Sequence, residues 1–254
     1  MPIDADLNKL KRTDLTKVVL VLGMHRSGTS SLMGSLEELG LNIGQANNTS
    51  QYNSKGNKEI PDFRKWHDQI FANNQANWNQ PKNIIDWSET NLKELYQLIK
   101  NHFGDLKIWG LKDPRLLFMI KAWFQIIPKK KIVFFASVRH PISVVKSLLK
   151  RGNINSEKEG FLIWKKYNKR LLFLSKKFNI QFIDFDNDAA QNNRIIMSLF
   201  SDMIGPPAKQ NLSFYDERLV HSKETIESCP ESLRSLYDQL LINCKNTAEM
   251  VLKN

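Results

Sequence analysis

Residues Lys17 to Leu32, KVVLVLGMHRSGTSSL, set an apolar run against a glycine-bearing turn that opens directly into a helical pattern. Val18 to Leu22 carry no polar side chain, as a strand buried on both faces requires. Strands of that kind sit in mainly parallel sheets covered by helices on either side. The turn from Gly23 to Ser30 brings hydroxyls, one guanidinium and unpaired N–H groups to a helix N-terminus. Both the orphan donors and the helix dipole favour an anion there. A chain that starts its core this way is expected to be α/β, three-layered, with an anion cradled beyond the first strand.

The same strand-to-helix pattern returns downstream. Ile132 to Val138 read as a second buried strand, with Arg139 at its carboxyl end and Pro141 suited to the first turn of the next helix. Ser147 falls about two turns into that helix, eight positions after Arg139. Leu106 to Gly110 form a short strand leading to Lys112, Asp113 and Pro114, where Asp113-Pro114 read as a helix cap and first residue. Hydrophobic periodicity places strands near 18–23, 106–110, 132–138 and 180–185. It places helices at 28–40, 59–72, 88–103, 114–126, 141–151, 157–178, 188–203 and 231–252. Ser156 and Glu159 read as a capping box opening a helix whose Phe161, Leu162, Trp164 and Tyr167 are core residues. Asp184-x-Asp186-x-Asp188 starts like a calcium loop, but Ala189 and Ile195 occupy positions that such a loop needs for Gly and Glu. It is read as a strand end followed by a helix cap. The division is a charged N-terminal tail at 1–16 and one domain over 17–254.

The spacing Gly23-x4-Gly28 is that of a nucleotide-phosphate loop, yet Thr29 stands where the loop's lysine belongs. The cation comes earlier, at Arg26. Two alternatives stay open from the loop alone: a small-molecule kinase on a related loop, and a non-enzymatic basic module that binds anions or nucleic acid. With Arg139 and Ser147 added, the pattern Arg26-Ser27-Gly28-Thr29-Ser30 resembles the phosphosulfate loop of sulfotransferases. These enzymes use the donor 3′-phosphoadenosine 5′-phosphosulfate (PAPS). The Arg-Ser-Gly-Thr form is most similar to the branch containing tyrosylprotein sulfotransferases and bacterial relatives. The resemblance implies a P-loop-like α/β/α domain and transfer of a sulfuryl group from PAPS to an acceptor hydroxyl or amine. It implies 5′-phosphosulfate contacts by Arg26, Ser27, Gly28, Thr29 and Ser30, and 3′-phosphate contacts by Arg139 and Ser147. It makes Lys112, in a Lys-Asp-Pro triplet, the residue that stabilises the transferring group, with Arg26. Arg115 is either an anion ligand or a solvent-facing residue. Beyond Ser201 the resemblance fades, and the C-terminal Arg-x-Gly-x-x-Gly motif of cytosolic members is missing; Arg218 and His221 are weak candidates for phosphate contacts there.

The resembled bacterial families place an acidic residue after an Asn-x-Lys-Gly-like segment, here Asn53 to Gly56, which makes Glu59 the candidate general base. Pro61 biases the residues before it away from the helix, and the cations Lys58, Arg26 and Lys112 suit a carboxylate at this place. His67, His25 and Asp113 are the alternatives. No metal is expected: the transferring group carries less charge than a terminal phosphoryl, and no magnesium aspartate stands out. The net charge of +11 suits a polyanionic donor, and its lysines and arginines are spread along the chain without a nucleic-acid motif. Acceptors compatible with these residues are a small molecule, a carbohydrate or a protein. Cys229 and Cys244 give no disulfide framework. The charged start and the lack of an apolar run of ~18–20 residues lead to the expectation of a cytoplasmic enzyme with no membrane span.

Overall fold

A computed structural model describes residues 10–47, 55–214 and 224–252. Four strands form one parallel sheet: β1 (Lys17–Leu22), β2 (Ile108–Lys112), β3 (Ile132–Val138) and β4 (Ile180–Asp184), in the order β2-β1-β3-β4. The chain leaves β1 for β2 on one side and then reaches β3 on the other. The carboxyl ends of β1 and β3 therefore part at a topological switch point, where open α/β sheets leave a crevice. Register fixes what reaches it. Lys112 lies beside Val21, Leu22 beside Ala136, and Val138 beside Asp184, so the segments after all four strands emerge at one edge.

Alternate residues of β1 serve two cores. Val19 and Val21 pack with α1 (Thr29–Glu38) and α7 (Ala189–Met203) through Leu32, Leu36, Ile196 and Leu199. Val18, Leu20 and Leu22 face the other layer, built from α2 (Pro61–Asn73), α3 (Glu89–Phe103), α4 (Leu116–Ile126), α5 (Pro141–Lys150), α6 (Glu157–Ser175) and α8 (Glu231–Leu252). All five residues from Val18 to Leu22 are fully buried, each contributing about 1.5–3 kcal/mol relative to an exposed side chain. This is the expected α/β/α sandwich. β4 is an edge strand, and α8 closes it: the Thr247 hydroxyl accepts from the Phe182 N–H at 3.0 Å, removing one unpaired donor from the edge. Ahead of β1, Leu15 enters the core and Arg12 donates to the Gly104 carbonyl, tying residues 10–16 of the charged N-terminal stretch to the domain.

Several boundaries move. β2 starts at Ile108 rather than 106 and ends on Lys112, making Lys112 the last strand residue. α4 opens at Leu116, so Asp113-Pro114 precede the helix; Asp113 instead accepts from the Arg115 N–H at 2.8 Å in a local turn. The capping box of α6 is half formed. Ser156 accepts from the Glu159 N–H, but the Glu159 carboxylate reaches back to Asn155 rather than to Ser156. Leu162 is exposed, while Trp164 and Tyr167 are fully buried, because only one stripe of α6 packs against its neighbours α4, α5 and α8. Asp188 caps α7 by accepting from the Gln191 N–H, as the strand-end reading expects.

Candidate active site

The turn after β1 packs more tightly than its sequence suggests. Gly28 has φ 90°, and a Cβ there would lie 2.0 Å from the ring of Phe185, which follows β4. Glycine is required by both the backbone and the approach. It caps α1 with no side-chain bond, and no acidic residue occupies that helix's first turn. The first N–H groups are thus left to an anion. Arg26 holds φ 66°, a left-handed conformation costing a non-glycine residue about 1–3 kcal/mol. What keeps it there is visible: its Nε donates to Ser147 Oγ at 2.9 Å, and its carbonyl accepts from Arg139 at 3.3 Å. Two segments singled out separately in the sequence, the first turn and the Arg139–Ser147 pair, therefore meet through direct bonds.

Arg139 is itself fixed from three sides. Its Nε pairs with Asp186 at 3.3 Å, its guanidinium lies 4.8 Å from the Phe185 ring centre, and its carbonyl accepts from the buried Trp164 indole. Asp186 also accepts from the His140 N–H at 2.7 Å, at the entrance to α5. Arg151, the residue closing α5, lies one turn beyond Ser147 on the same helix face. Burial, then Arg151, then Arg139 push the Arg26 guanidinium down to about 10, with only Glu59 opposing. Like charges are crowded here, as they are where an anion is to be held.

A second cluster forms on the β2 side. Lys112, 3% exposed, donates from Nζ to Glu59 at 2.7 Å, to the Asn57 carbonyl at 2.9 Å and to Ser30 Oγ at 3.2 Å. Ser30 also donates to the Asn57 carbonyl at 2.9 Å. The candidate base, the candidate transfer-stabilising lysine and the first turn of α1 thus share one set of bonds. Behind them lies a closed network. His67 Nδ1 bonds Asp113 at 3.0 Å, while its Nε2 accepts from the Trp123 indole at 3.2 Å. Accepting at Nε2 and donating at Nδ1 occupies both ring nitrogens. Burial works against the charge of Asp113, but His67 and Arg115 overcome it and hold its carboxyl well below the usual range.

Not every candidate faces the crevice. The Ser27 hydroxyl turns inward, donating to the Met24 carbonyl at 2.7 Å, so its side chain supports the turn. Thr29 is buried at the start of α1. Arg115 is neither solvent-facing nor free for an anion: it is buried and bonded to Asp113 and Asp68. His25 packs edge-on to Trp78 and Tyr167, and burial, followed by the charge of Arg115, pushes its pKa well below the ordinary histidine value. Arg218, His221 and the Asn53-Ser54 pair lie outside the described residues.

Sequence reasoning missed Arg151, Phe185 and the pairing of Asp186. Arg151 was within reach, since it follows Ser147 by one helical turn; Asp186 needed the register of β3 against β4. Among the described residues no helix is long and apolar enough to cross a membrane.

No family model matches the chain, and no curated protein does. Among solved structures it aligns with the sulfotransferase domain from the Synechococcus PCC 7002 olefin synthase, over 93% of this chain and 94% of that one, with 12% identity and a TM-score of 0.47. What this chain does is read from its own residues.

Proposed function

We propose that this protein is a sulfotransferase that moves the sulfuryl group of PAPS to an acceptor hydroxyl or amine. The observation that carries the reading is the crowding of Arg26 by Arg139 and Arg151 at the uncapped start of α1, in the crevice between β1 and β3. That arrangement suits a ligand with two separated anionic groups. Arg26 and the N–H groups of α1 face the 5′-phosphosulfate, and Arg139 with Ser147 takes the 3′-phosphate. Lys112 bridges to the other cluster, where Glu59 stands next to Ser30 through shared contacts. In the transfer, an acceptor oxygen or nitrogen attacks sulfur in line, and Glu59 takes the proton. The bond from sulfur to the bridging oxygen breaks, and adenosine 3′,5′-bisphosphate leaves with the electron pair. Lys112 and Arg26 offset the charge that grows on that oxygen. The catalytic set is Glu59, Lys112 and Arg26.

Thermal unfolding with nucleotides tests the reading. Adenosine 3′,5′-bisphosphate stabilises the fold without Mg²⁺, by about 2.7 kcal/mol at a hundredfold excess over its dissociation constant. Larger stabilisation by Mg-ATP, with none by the bisphosphate, favours the kinase reading and rejects this one.

A further inference from the structure

The loop carrying Glu59 has little regular structure of its own. Gly56 and Lys58 both take left-handed conformations, φ 78° and 54°, and the Lys58 N–H pairs with the Asn47 carbonyl at 3.1 Å. What faces this loop from outside is a strap that runs on from α7. Its Ala208 N–H donates to the Leu39 carbonyl at 2.8 Å, next to the end of α1. Farther along, Glu38 accepts from the N–H groups of Ser213 and Phe214, each at 2.9 Å, and from the Ser213 hydroxyl at 2.5 Å. Burial works against the Glu38 charge, but these bonds outweigh it and hold its carboxyl below the usual range.

Tied this way, the Phe214 ring lies where a side chain on Gly34 would be, 2.4 Å from an added Cβ. Glycine weakens a helix interior, so its place in the middle of α1 is explained by the ring that covers it. Over the same ring stand the ammonium groups of Lys55 and Lys58, each 5.1 Å from its centre. Lys55 also donates to the Ser213 and Phe214 carbonyls at 2.7 and 2.9 Å, and Lys58 pairs with Glu37 at 2.7 Å. Lys58 directly precedes Glu59, and between the two lysines lies Asn57, whose carbonyl receives Lys112 and Ser30.

We propose that Phe214 is a positioning residue: clamped on Gly34 by Glu38, it sets the 55–59 loop so that Glu59 meets Lys112. The inference rests on the reading of Glu59 as the base. The contacts run from a segment more than 150 positions away in sequence, and they touch neither Arg26 nor Arg139. Phe214 therefore acts on the transfer step and leaves donor binding alone.

Amide hydrogen exchange, bisphosphate titration and cleavage of PAPS with water as the acceptor test this on the full chain. In F214A, exchange at the Lys58 amide rises at least tenfold and PAPS cleavage falls at least tenfold, while bisphosphate affinity stays within threefold. F214Y, which keeps the ring, behaves as the wild type. K55M, which keeps the aliphatic stem and removes the ammonium, gives the same pattern at about threefold and serves if F214A does not fold. Unchanged exchange at Lys58, wild-type cleavage in F214A, or an equal loss of bisphosphate affinity overturns the proposal. Failure of the wild type to bind the bisphosphate at all rejects the sulfotransferase reading instead.

Discussion

The two halves of the crevice handle charge in opposite ways. Around Arg26, between β1 and β3, like charges are brought together until one guanidinium is depressed to about 10. On the β2 side each charge meets its complement: Lys112 with Glu59 at 2.7 Å, and Arg115 with Asp113 at 3.1 Å and Asp68 at 2.6 Å. On the proposed function, the first arrangement gains stability when an anion arrives, while the second is complete beforehand and holds groups in place for chemistry. That reading makes binding and transfer separable, so substitutions in the two halves are expected to differ in kind.

The largest effect belongs to the paired half. Glu59→Gln keeps the shape and an acceptor for Lys112 but cannot take a proton, so kcat falls by about 10²–10⁴-fold with bisphosphate affinity unchanged. Steady-state transfer rates alongside calorimetry check this; near-normal turnover would move the base elsewhere. Next comes Asp113→Ala, which leaves the His67 Nδ1–H and one side of Arg115 without their buried partner. The fold loses about 3–5 kcal/mol in denaturant unfolding, whereas donor binding by the surviving native fraction is retained. A loss below 1 kcal/mol would mean that the network is not the closed, buried unit described.

How far the sequence reached follows the same division. Strands β1 and β3 and the helix after each were legible because local patterns mark them: apolar runs, glycines and a proline at helix starts. The candidates Arg26, Arg139, Ser147, Lys112 and Glu59 came from the family resemblance laid over those strand ends. The structure brings these five into two adjoining sets of bonds. Illegible were the contacts that depend on register and long-range packing. Asp186 pairs with Arg139 only because β4 lies beside β3, and Arg115 finds a second carboxylate beyond Asp113 only because α2 supplies Asp68. Ser27 shows the opposite case: a hydroxyl in the turn after β1 faces inward when the strand behind it offers a carbonyl, as Ser137 does at 3.2 Å. Phe214 gave no local signal, since Gly34 and Glu38, which define its place, lie far off in sequence in α1.

The smallest of these effects is the most direct test of the central claim, that the crowded half reads two separate phosphates. Wild type and Arg139→Ala are titrated calorimetrically with adenosine 3′,5′-bisphosphate and with adenosine 5′-phosphate, without Mg²⁺. The account predicts that the variant loses about 1.5–3 kcal/mol with the bisphosphate, roughly a factor of 10–150, and keeps its affinity for the monophosphate. Equal losses with both ligands would contradict it, making Arg139 a support for the Arg26 turn and removing the second phosphate site.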